Sequence, residues 1–282
     1  MAVILDGRKV SSLIKEDIRK SIDPFSEERG PCLAVVLVGN DNASRVYVRN
    51  KMKACMLTHI RSLQFNLKDN TSEEELLSLI ERLNESPDVD GILVQLPLPE
   101  GIDEKKILEK IAPDKDVDGF NPINKGRLFE GSDCFLPCTP AGIIELLKYY
   151  KIDPDGKNCV LVGRSNIVGK PAAFLFLREN ATVTICHSHS KNIKNFLQNA
   201  DIIVSAVGKA GFIKEDMVKS DAVIIDVGMN RDENGKLVGD CDYEKIFPKA
   251  SYITPVPGGV GPMTIAMLMK NVFKARGIER HK

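Results

Sequence analysis

Three polar residues recur at helical spacing in the first third of the chain: Ser44, Tyr47 and Lys51. Residues three and four apart lie on one side of a helix, so these side chains share a face, with the apolar Val48 and Met52 beside them. Desolvation next to an apolar stripe disfavours the ammonium form, so such a lysine can act as a proton acceptor. The pattern predicts a catalytic lysine with Tyr47 one turn away; a solvated helix face has the same spacing.

Three other features indicate the same site. Gln95 comes near the carboxyl end of an apolar run, residues 91–96, where ligands bind in open α/β sheets. Asp118 lies in a polar segment rich in turn formers, residues 113–122. The segment 255–262 reads Pro-Val-Pro-Gly-Gly-Val-Gly-Pro. Its prolines are rigid and its glycines leave the backbone open to a ligand, so we expect a loop there.

A second kind of chemistry is indicated at residues 163–171, which read Gly-Arg-Ser-Asn-Ile-Val-Gly-Lys-Pro. Gly163 permits a tight turn after a strand, and Gly169 permits close approach of a helix to that strand. The exposed N–H groups at the start of such a helix can hold a pyrophosphate. Ser165 stands where the dinucleotide fingerprint has its middle glycine, so a plain strand–helix turn is the alternative.

The end of the next predicted strand indicates which dinucleotide would bind. An NAD site usually has Asp or Glu there, on the ribose hydroxyls. This chain has His187 and Ser188 instead, with Arg164 nearby. Hydroxyl and guanidinium groups accept a phosphate that a carboxylate would repel, so the sequence favours NADP over NAD. We expect no metal site at 186–189, because on a strand Cys186 faces away from both histidines.

Alternating strands and helices must position these residues. We predict strands at 32–38, 61–67, 91–96, 160–162, 181–186, 201–207 and 222–227, and helices at 44–57, 71–84, 104–111, 139–150 and 264–275. This order predicts an α/β fold of two α/β domains, the second a Rossmann-like dinucleotide-binding domain, with the active-site cleft between them. The predicted domains are residues 1–120, completed by the C-terminal helix 264–282, and residues 121–263.

Composition excludes several other classes of protein. Lys plus Arg (39) balance Asp plus Glu (39) among 282 residues, whereas nucleic-acid binding needs excess positive charge. The amino terminus lacks the apolar core of a signal peptide, and the longest apolar run, Cys32–Val38, is far too short to span a membrane. The 7 cysteines show no CxxC spacing. We therefore expect a cytoplasmic protein with reduced thiols and no nucleic-acid or membrane partner.

Six motifs follow one another along nearly the whole chain. They are Ser-x-x-Tyr-Val-x-x-Lys-x-Lys at 44–53, Gly-Ile-Leu-Val-Gln-Leu-Pro-Leu-Pro at 91–99, Pro-x-Lys-Asp-Val-Asp-Gly-Phe at 113–120, Pro-Cys-Thr-Pro-x-Gly at 137–142, Gly-Arg-Ser-x-x-Val-Gly-x-Pro at 163–171 and Thr-Pro-Val-Pro-Gly-Gly-Val-Gly-Pro-Met-Thr at 254–264. In this order the chain resembles the bifunctional methylenetetrahydrofolate dehydrogenase/methenyltetrahydrofolate cyclohydrolase family. The resemblance implies NADP-dependent oxidation of methylenetetrahydrofolate, followed by hydrolysis to formyltetrahydrofolate.

The resemblance also implies residue roles. Lys51 would be central to the cyclohydrolase step, positioned by Tyr47 and Gln95, and Asp118 would bond the polar edge of the pterin. NADP would contact Gly163, Arg164, Ser165, Ser188 and the backbone near Met229. The folate would contact Ser44, Tyr47, Pro257, Gly258, Gly259, Val260 and Pro262. A homodimer would form through the second domain, and the last helix would pack on the first.

The chain departs from the family pattern at three places. His59 stands where a glycine is common, His189-Ser190 end their motif unusually, and Met229 replaces a common isoleucine.

Two alternative functions stay open at this point. One is an amino-acid or shikimate-type dehydrogenase, which shares the two-domain plan, and the other is a nucleotide-sensing module without turnover.

Overall fold

The computed structural model describes residues 1–22 and 29–277. Its strands are β1 (Val3–Ile4), β2 (Cys32–Val38), β3 (Arg61–Leu67), β4 (Gly91–Val94), β5 (Asn158–Val162), β6 (Thr182–Cys186), β7 (Ile202–Ser205), β8 (Val223–Asp226), β9 (Asn230–Arg231), β10 (Leu237–Val238) and β11 (Tyr252–Ile253). Its helices are α1 (Gly7–Ser21), α2 (Asn42–Leu57), α3 (Glu73–Glu85), α4 (Glu104–Lys110), α5 (Pro122–Glu130), α6 (Cys138–Tyr149), α7 (Gly169–Arg178), α8 (Ile193–Gln198), α9 (Tyr243–Ile246) and α10 (Val260–Ala275), with a 3₁₀ turn at Glu215–Met217.

The chain divides into two compact units, each assembled from separate stretches of sequence. Ser12–Cys138 and Ile265–Lys282 form one, here called the three-strand unit. Met1–Ser11 and Thr139–Thr264 form the other, the six-strand unit. Helices α1 and α10 each begin in the six-strand unit and continue in the three-strand unit.

The three-strand unit is built on a parallel sheet of order β3-β2-β4. Every residue of the central strand β2 is buried, as expected for a parallel strand covered on both faces. Helices α3 and α4 pack their apolar residues, among them Leu76, Ile80 and Ile107, against β2 and β4 to form the core. Helix α3 starts with a capping box, in which Ser72 and Glu75 bond each other's backbone amides.

The six-strand unit is built on a sheet whose named neighbours all pair in parallel, in the order β1-β11-β8-β7-β5-β6. Strand β5 has β6 on one side and β7 on the other, so the direction of winding reverses at β5. In open α/β sheets, ligands bind beyond the carboxyl ends of the strands at such a reversal. The turn after β5 is the segment that the sequence predicts to hold a dinucleotide.

The predicted α/β class, with a Rossmann-like second sheet, is confirmed. The compact units nevertheless differ from the predicted domains in two places. Strand β1 pairs with β11 and so places Met1–Ser11 in the six-strand unit, and residues 121–138, predicted for the second domain, lie in the three-strand unit. The predicted boundaries between the folate domain and the NADP domain, at 120/121 and 263/264, stay a prediction. Residues 278–282 of the predicted C-terminal helix lie outside the described residues.

The prediction of a loop throughout 255–262 was wrong at its end. Helix α10 begins at Val260, so residues 260–262 belong to its first turn. The proline at 262 fits there because the first turn of a helix needs no backbone donor. The prediction from Pro and Gly content alone therefore put the start of α10 at residue 264, four residues too late.

His59, one of the departures from the family pattern, has a positive φ of 58°. This left-handed conformation favours glycine, the residue common at that position in the resembling family.

In the described ranges 1–22 and 29–277, no helix is long and apolar enough to cross a membrane. Over the same ranges, no group of three or more His, Cys, Asp or Glu residues is placed to hold a metal ion.

Candidate active site

The lysine predicted to be catalytic is buried on helix α2, with 9% of its surface exposed. Lys51 Nζ donates a hydrogen bond to Gln95 Oε1 at 3.1 Å, and Gln95 Nε2 donates to the Leu96 carbonyl at 2.6 Å. The second bond orients the amide: the backbone holds its nitrogen, and its oxygen faces the lysine. The structure thus brings together two predicted site residues, Lys51 from α2 and Gln95 from the position just after β4.

The start of helix α2 is fixed by Asp41. Its carboxylate accepts the backbone N–H of Ser44 at 2.7 Å and also bonds the Ser44 hydroxyl. These bonds lower the pKa of Asp41 because they stabilise its charged form. Ser44 is buried and Tyr47 is half-buried, one turn before Lys51. Their contacts with substrate stay predictions, while the structure gives Ser44 a role at the helix start.

Asp118 lies in a loop that is organised by a neighbouring carboxylate. Asp116 is buried and accepts from Phe120 N at 3.0 Å, Asn121 N at 2.8 Å and Asn124 Nδ2 at 2.9 Å. Burial raises the pKa of Asp116 to about 6, against the opposing effect of these bonds. Sequence reasoning singled out Asp118 and missed Asp116, although the turn-forming segment around both was recognised.

Helix α10 holds the same loop from another direction. Asn271 Nδ2 donates to the Val117 carbonyl at 2.8 Å, and the Cys138 thiol donates to that carbonyl at 3.3 Å. Burial raises the pKa of the Cys138 thiol, Asp118 raises it further, and Lys51 lowers it. Asp118 and Lys51 therefore lie close enough to one thiol to act on it together. A lone amide in an apolar helix was the sequence feature that could have identified Asn271.

The predicted dinucleotide turn follows β5 in the six-strand unit. Gly163 has a φ of 128°, and a Cβ there would lie 2.4 Å from the Ala206 carbonyl oxygen. A Cβ at Gly169 would lie 2.3 Å from the Gly163 oxygen. Ser165 Oγ accepts from the amides of Val168 and Gly169 at 3.1 and 3.3 Å, so this serine binds two backbone N–H groups where helix α7 begins. Both glycines are required sterically, and the serine at the middle position has a definite role.

The segment after β6 forms a small turn beside the dinucleotide turn. His187 N donates to Ser190 Oγ at 2.9 Å, and His189 N donates to His187 Nδ1 at 3.2 Å. Desolvation lowers the pKa of His187, and coulombic interactions with Arg164 and His189 lower it further. Arg164 and His187 therefore act on each other electrostatically, with Ser188 exposed next to them. Such surroundings suit a bound phosphate.

Met229 follows strand β8, which ends in the buried Asp226. Asp226 accepts from the backbone amides of Gly228, Asp240 and Cys241, each at 2.9 Å. Burial raises the pKa of Asp226 to about 6, although these bonds act in the opposite direction. The backbone just before Met229 is thus held by a carboxylate that sequence reasoning did not single out.

The segment 257–262 packs against the amino-terminal residues of the six-strand unit. Arg8 N donates to the Gly258 carbonyl at 3.1 Å, and a Cβ at Gly7 would lie 1.8 Å from the Gly259 oxygen. Pro257 is exposed, whereas the three residues after it are buried. This contact explains why a glycine is needed at residue 7, whereas a Cβ at Gly259 would lie 2.7 Å from the Pro255 carbonyl oxygen. No local sequence pattern indicates either requirement. The predicted folate contacts of this segment stay predictions.

These features define a dinucleotide-binding α/β oxidoreductase with a buried lysine–glutamine pair in its three-strand unit. Residues 5–118 match the family model described as tetrahydrofolate dehydrogenase/cyclohydrolase, catalytic domain. Residues 137–280 match the model described as tetrahydrofolate dehydrogenase/cyclohydrolase, NAD(P)-binding domain. The chain belongs to the tetrahydrofolate dehydrogenase/cyclohydrolase family.

Individual relatives agree over the full length. The bifunctional protein FolD of Campylobacter hominis is 58% identical over 273 residues, which are 96% of each chain. The crystal structure of the FolD dehydrogenase/cyclohydrolase from Campylobacter jejuni has a TM-score of 0.97 and 48% identity, covering 100% of both chains. The Trypanosoma brucei dehydrogenase-cyclohydrolase, complexed with NADP cofactor and inhibitor, has a TM-score of 0.94 and 36% identity, covering 100% of this chain and 99% of that one.

The predicted activity is therefore confirmed: the protein is a bifunctional methylenetetrahydrofolate dehydrogenase and methenyltetrahydrofolate cyclohydrolase. NADP is its cofactor, as predicted. The alternatives considered from the sequence are not supported. A shikimate dehydrogenase from Aquifex aeolicus, at 13% identity and a TM-score of 0.54, shares the fold alone.

The raised pKa of Asp116 predicts how stability depends on pH. The folded protein favours its protonated carboxyl, so the folded state binds more protons than the unfolded chain between pH 3.8 and about 6. Stability therefore falls as pH rises through that window, by up to about 3 kcal/mol from this group. Chemical unfolding from pH 4 to 6 should show a smaller fall in Asp116→Asn than in the wild type. An equal fall in stability in the two proteins would contradict the raised pKa of Asp116.

Proposed function

We propose that Lys51 and Gln95 perform the cyclohydrolase step, and that the 163–171 turn holds NADP with Arg164 and Ser188. The observation that carries the first part is the 3.1 Å hydrogen bond from a buried lysine to an amide whose own orientation is fixed. A lysine so placed is withdrawn from water, and one of its hydrogens has a defined direction.

In our proposal, the hydrogen bond to Gln95 orients Lys51 to act as the proton acceptor in hydrolysis. Donation of one N–H to Gln95 Oε1 leaves the remaining positions around Lys51 Nζ turned away from the amide. Water attacks the methenyl carbon of the substrate, a C–O bond forms, and Lys51 accepts the proton that the water loses. The ammonium then returns this proton to the ring nitrogen as the C–N bond breaks. The hydroxyl proton passes to solvent, and formyltetrahydrofolate results.

The cofactor cradle fits a dinucleotide on steric and electrostatic grounds. A side chain at Gly163 or Gly169 would fill the space where the backbone turns, and Arg164 supplies positive charge beside His187. NADP, when bound, accepts a hydride from the methylene carbon of the folate. In our proposal Arg164 and Ser188 bind the 2′-phosphate, while Gly163 and Ser165 contact the pyrophosphate.

The remaining predicted residues have proposed roles in holding the two ligands. Asp118 would accept hydrogen bonds from the amino and ring N–H groups of the pterin, and its rigid loop supports this proposal. Ser44 and Tyr47 would contact the folate, as would Pro257 and the buried residues that follow it. The backbone near Met229 would lie beside the nicotinamide.

The lysine role predicts a separation of the two activities. Lys51→Gln removes the proton acceptor but keeps a side chain that can bond Gln95, so hydrolysis of methenyltetrahydrofolate should fall by at least about 100-fold. Hydride transfer needs no such acceptor and should continue at a measurable rate. Methenyl absorbance follows the first activity, and NADPH absorbance follows the second.

The matched control is Arg49→Gln, the same loss of positive charge at an exposed position of helix α2. Both of its activities should equal those of the wild type. Normal hydrolysis by Lys51→Gln would refute the proposed role of the lysine.

The cofactor proposal predicts which substitution weakens NADP binding. Arg164→Ala removes a charge-assisted bond to phosphate and should raise the KM for NADP by about tenfold or more. The KM for NAD, which lacks the 2′-phosphate, should change much less. Arg178→Ala, at the other end of helix α7, is exposed and should leave both constants unchanged. Equal losses for NADP and NAD after Arg164→Ala would contradict recognition of the 2′-phosphate.

We also propose a homodimer formed through the six-strand unit, and a cytoplasmic location. Strand β6 ends the strand order of its sheet, and Leu177, Ile185 and Phe196 are exposed by 59%, 38% and 40%. A sheet edge with apolar neighbours is a common place for chains to associate. All seven cysteines are free thiols, which supports a reducing compartment.

The dimer can be tested by sedimentation equilibrium. We expect a mass of about twice the 31.1 kDa of the chain for the wild type, and a lower average mass for Ile185→Lys, because a buried charge would destabilise the interface. Lys191→Glu, an exposed position between β6 and α8, offers a charge change on the same unit. A wild-type mass near that of one chain at micromolar concentration would contradict the proposal.

A further inference from the structure

The most completely bonded carboxylate described in the six-strand unit is that of Asp240, which is 0% exposed. Its Oδ2 accepts from Val207 N at 2.8 Å, Gly208 N at 3.3 Å and Ser205 Oγ at 3.2 Å. Its Oδ1 accepts from Lys209 N at 3.0 Å. Three successive backbone amides thus wrap around one carboxylate, an arrangement that fixes the path of residues 207–209.

A second segment is attached to the same carboxylate. Asn230 Nδ2 donates to Asp240 Oδ1 at 2.9 Å. A Cβ at Gly228 would lie 2.3 Å from that same oxygen, so the backbone before Met229 passes directly against it. Asp240 N donates in turn to Asp226 Oδ1 at 2.9 Å. The carboxylate therefore joins the loop after β7 to the segment after β8.

The loop after β7 lies directly against the dinucleotide turn. A Cβ at Gly163 would lie 2.4 Å from the Ala206 carbonyl oxygen, and Ala206 N donates to the Val162 carbonyl at 2.8 Å. Residue 206 immediately precedes the three amides that Asp240 holds. A shift of this loop would therefore move one wall of the turn around Gly163.

We propose that Asp240 is a positioning residue for the cofactor. This inference rests on the proposed location of NADP at the 163–171 turn. Asp240 touches neither the cofactor nor the substrate; its carboxylate holds the 205–209 loop and the 228–230 segment in the relative placement that the dinucleotide needs. Asn at this position keeps the shape but turns one acceptor into a donor that faces backbone N–H groups. The two segments would then lose their common anchor.

The test compares two activities of full-length Asp240→Asn. The KM for NADP in the dehydrogenase reaction should rise by about tenfold, because buried donors lose their acceptor and the loop relaxes. At saturating NADP the kcat should stay within about twofold of the wild type. Hydrolysis of methenyltetrahydrofolate, assayed without NADP, should be unchanged, since Lys51 and Gln95 lie in the three-strand unit. An unchanged KM for NADP, or equal losses of both activities, would overturn the inference.

A milder variant covers the case in which Asp240→Asn does not fold. Asn230→Ala removes a single donor to the carboxylate from a half-buried position, and should raise the KM for NADP by about two- to threefold without loss of kcat. Asp242→Asn is the matched control, because it makes the same chemical change at a carboxylate that instead pairs with Lys245 at 3.6 Å. Its KM for NADP should equal that of the wild type. A normal KM in Asn230→Ala would contradict the proposal.

The result also separates this inference from the proposed cofactor location. If Arg164→Ala weakens NADP binding and Asp240→Asn does not, the inference about Asp240 alone is wrong. If neither substitution changes the KM for NADP, the location of the cofactor at the 163–171 turn is wrong as well.

Discussion

The loops at the carboxyl ends of the strands depend on one constraint: each needs an acceptor for backbone amides that no neighbouring strand can bind. Buried carboxylates supply it in both units. Asp116 organises the loop that carries Asp118, and Asp226 and Asp240 organise the segments around Met229 and Ala206. Of the proposed ligand-binding residues, Asp118 and Met229 lie on irregular backbone, yet that backbone is as firmly bonded as a helix end. Buried acidic groups therefore fix the backbone that carries the proposed ligand-binding residues Asp118 and Met229.

This solution has an energetic cost. A carboxylate removed from water is stable only when several donors surround it, and burial still raises the pKa of Asp116 and Asp226 to about 6. Such groups are tolerated because the backbone N–H groups of a loop cannot be removed by substitution and each needs an acceptor. One carboxylate can accept hydrogen bonds from two or three of these N–H groups at once. The Lys51–Gln95 pair is likewise held by the backbone. The Leu96 carbonyl accepts from the Gln95 amide and orients it, and the Gln95 amide oxygen in turn orients Lys51.

Local pattern was enough to predict two residues that the structure brings together, Lys51 and Gln95. Helical spacing indicated Lys51, and the apolar run at 91–96 indicated Gln95, to which the structure joins it by a hydrogen bond. The same reasoning found the glycines of the dinucleotide turn, because a steric requirement is visible in the residue type. It missed Asp240 and Asn271, because their bonds to Val207 and Val117 span 33 and 154 residues of sequence and follow only from the packing of β7, β8 and α10. It also placed the start of α10 too late, since tertiary packing decided which Pro and Gly residues became helical.

The division of the chain bears on how such a protein can change during evolution. Each compact unit is assembled from two separated stretches, and α1 and α10 each run from one unit into the other. No single continuous gene segment encodes either unit, so one recombination event cannot exchange a whole unit between homologues. A chimera would need at least two crossovers, placed at helix positions where the parents already agree. Diversity in this architecture should therefore accumulate by point substitution and loop change more readily than by the shuffling of domains.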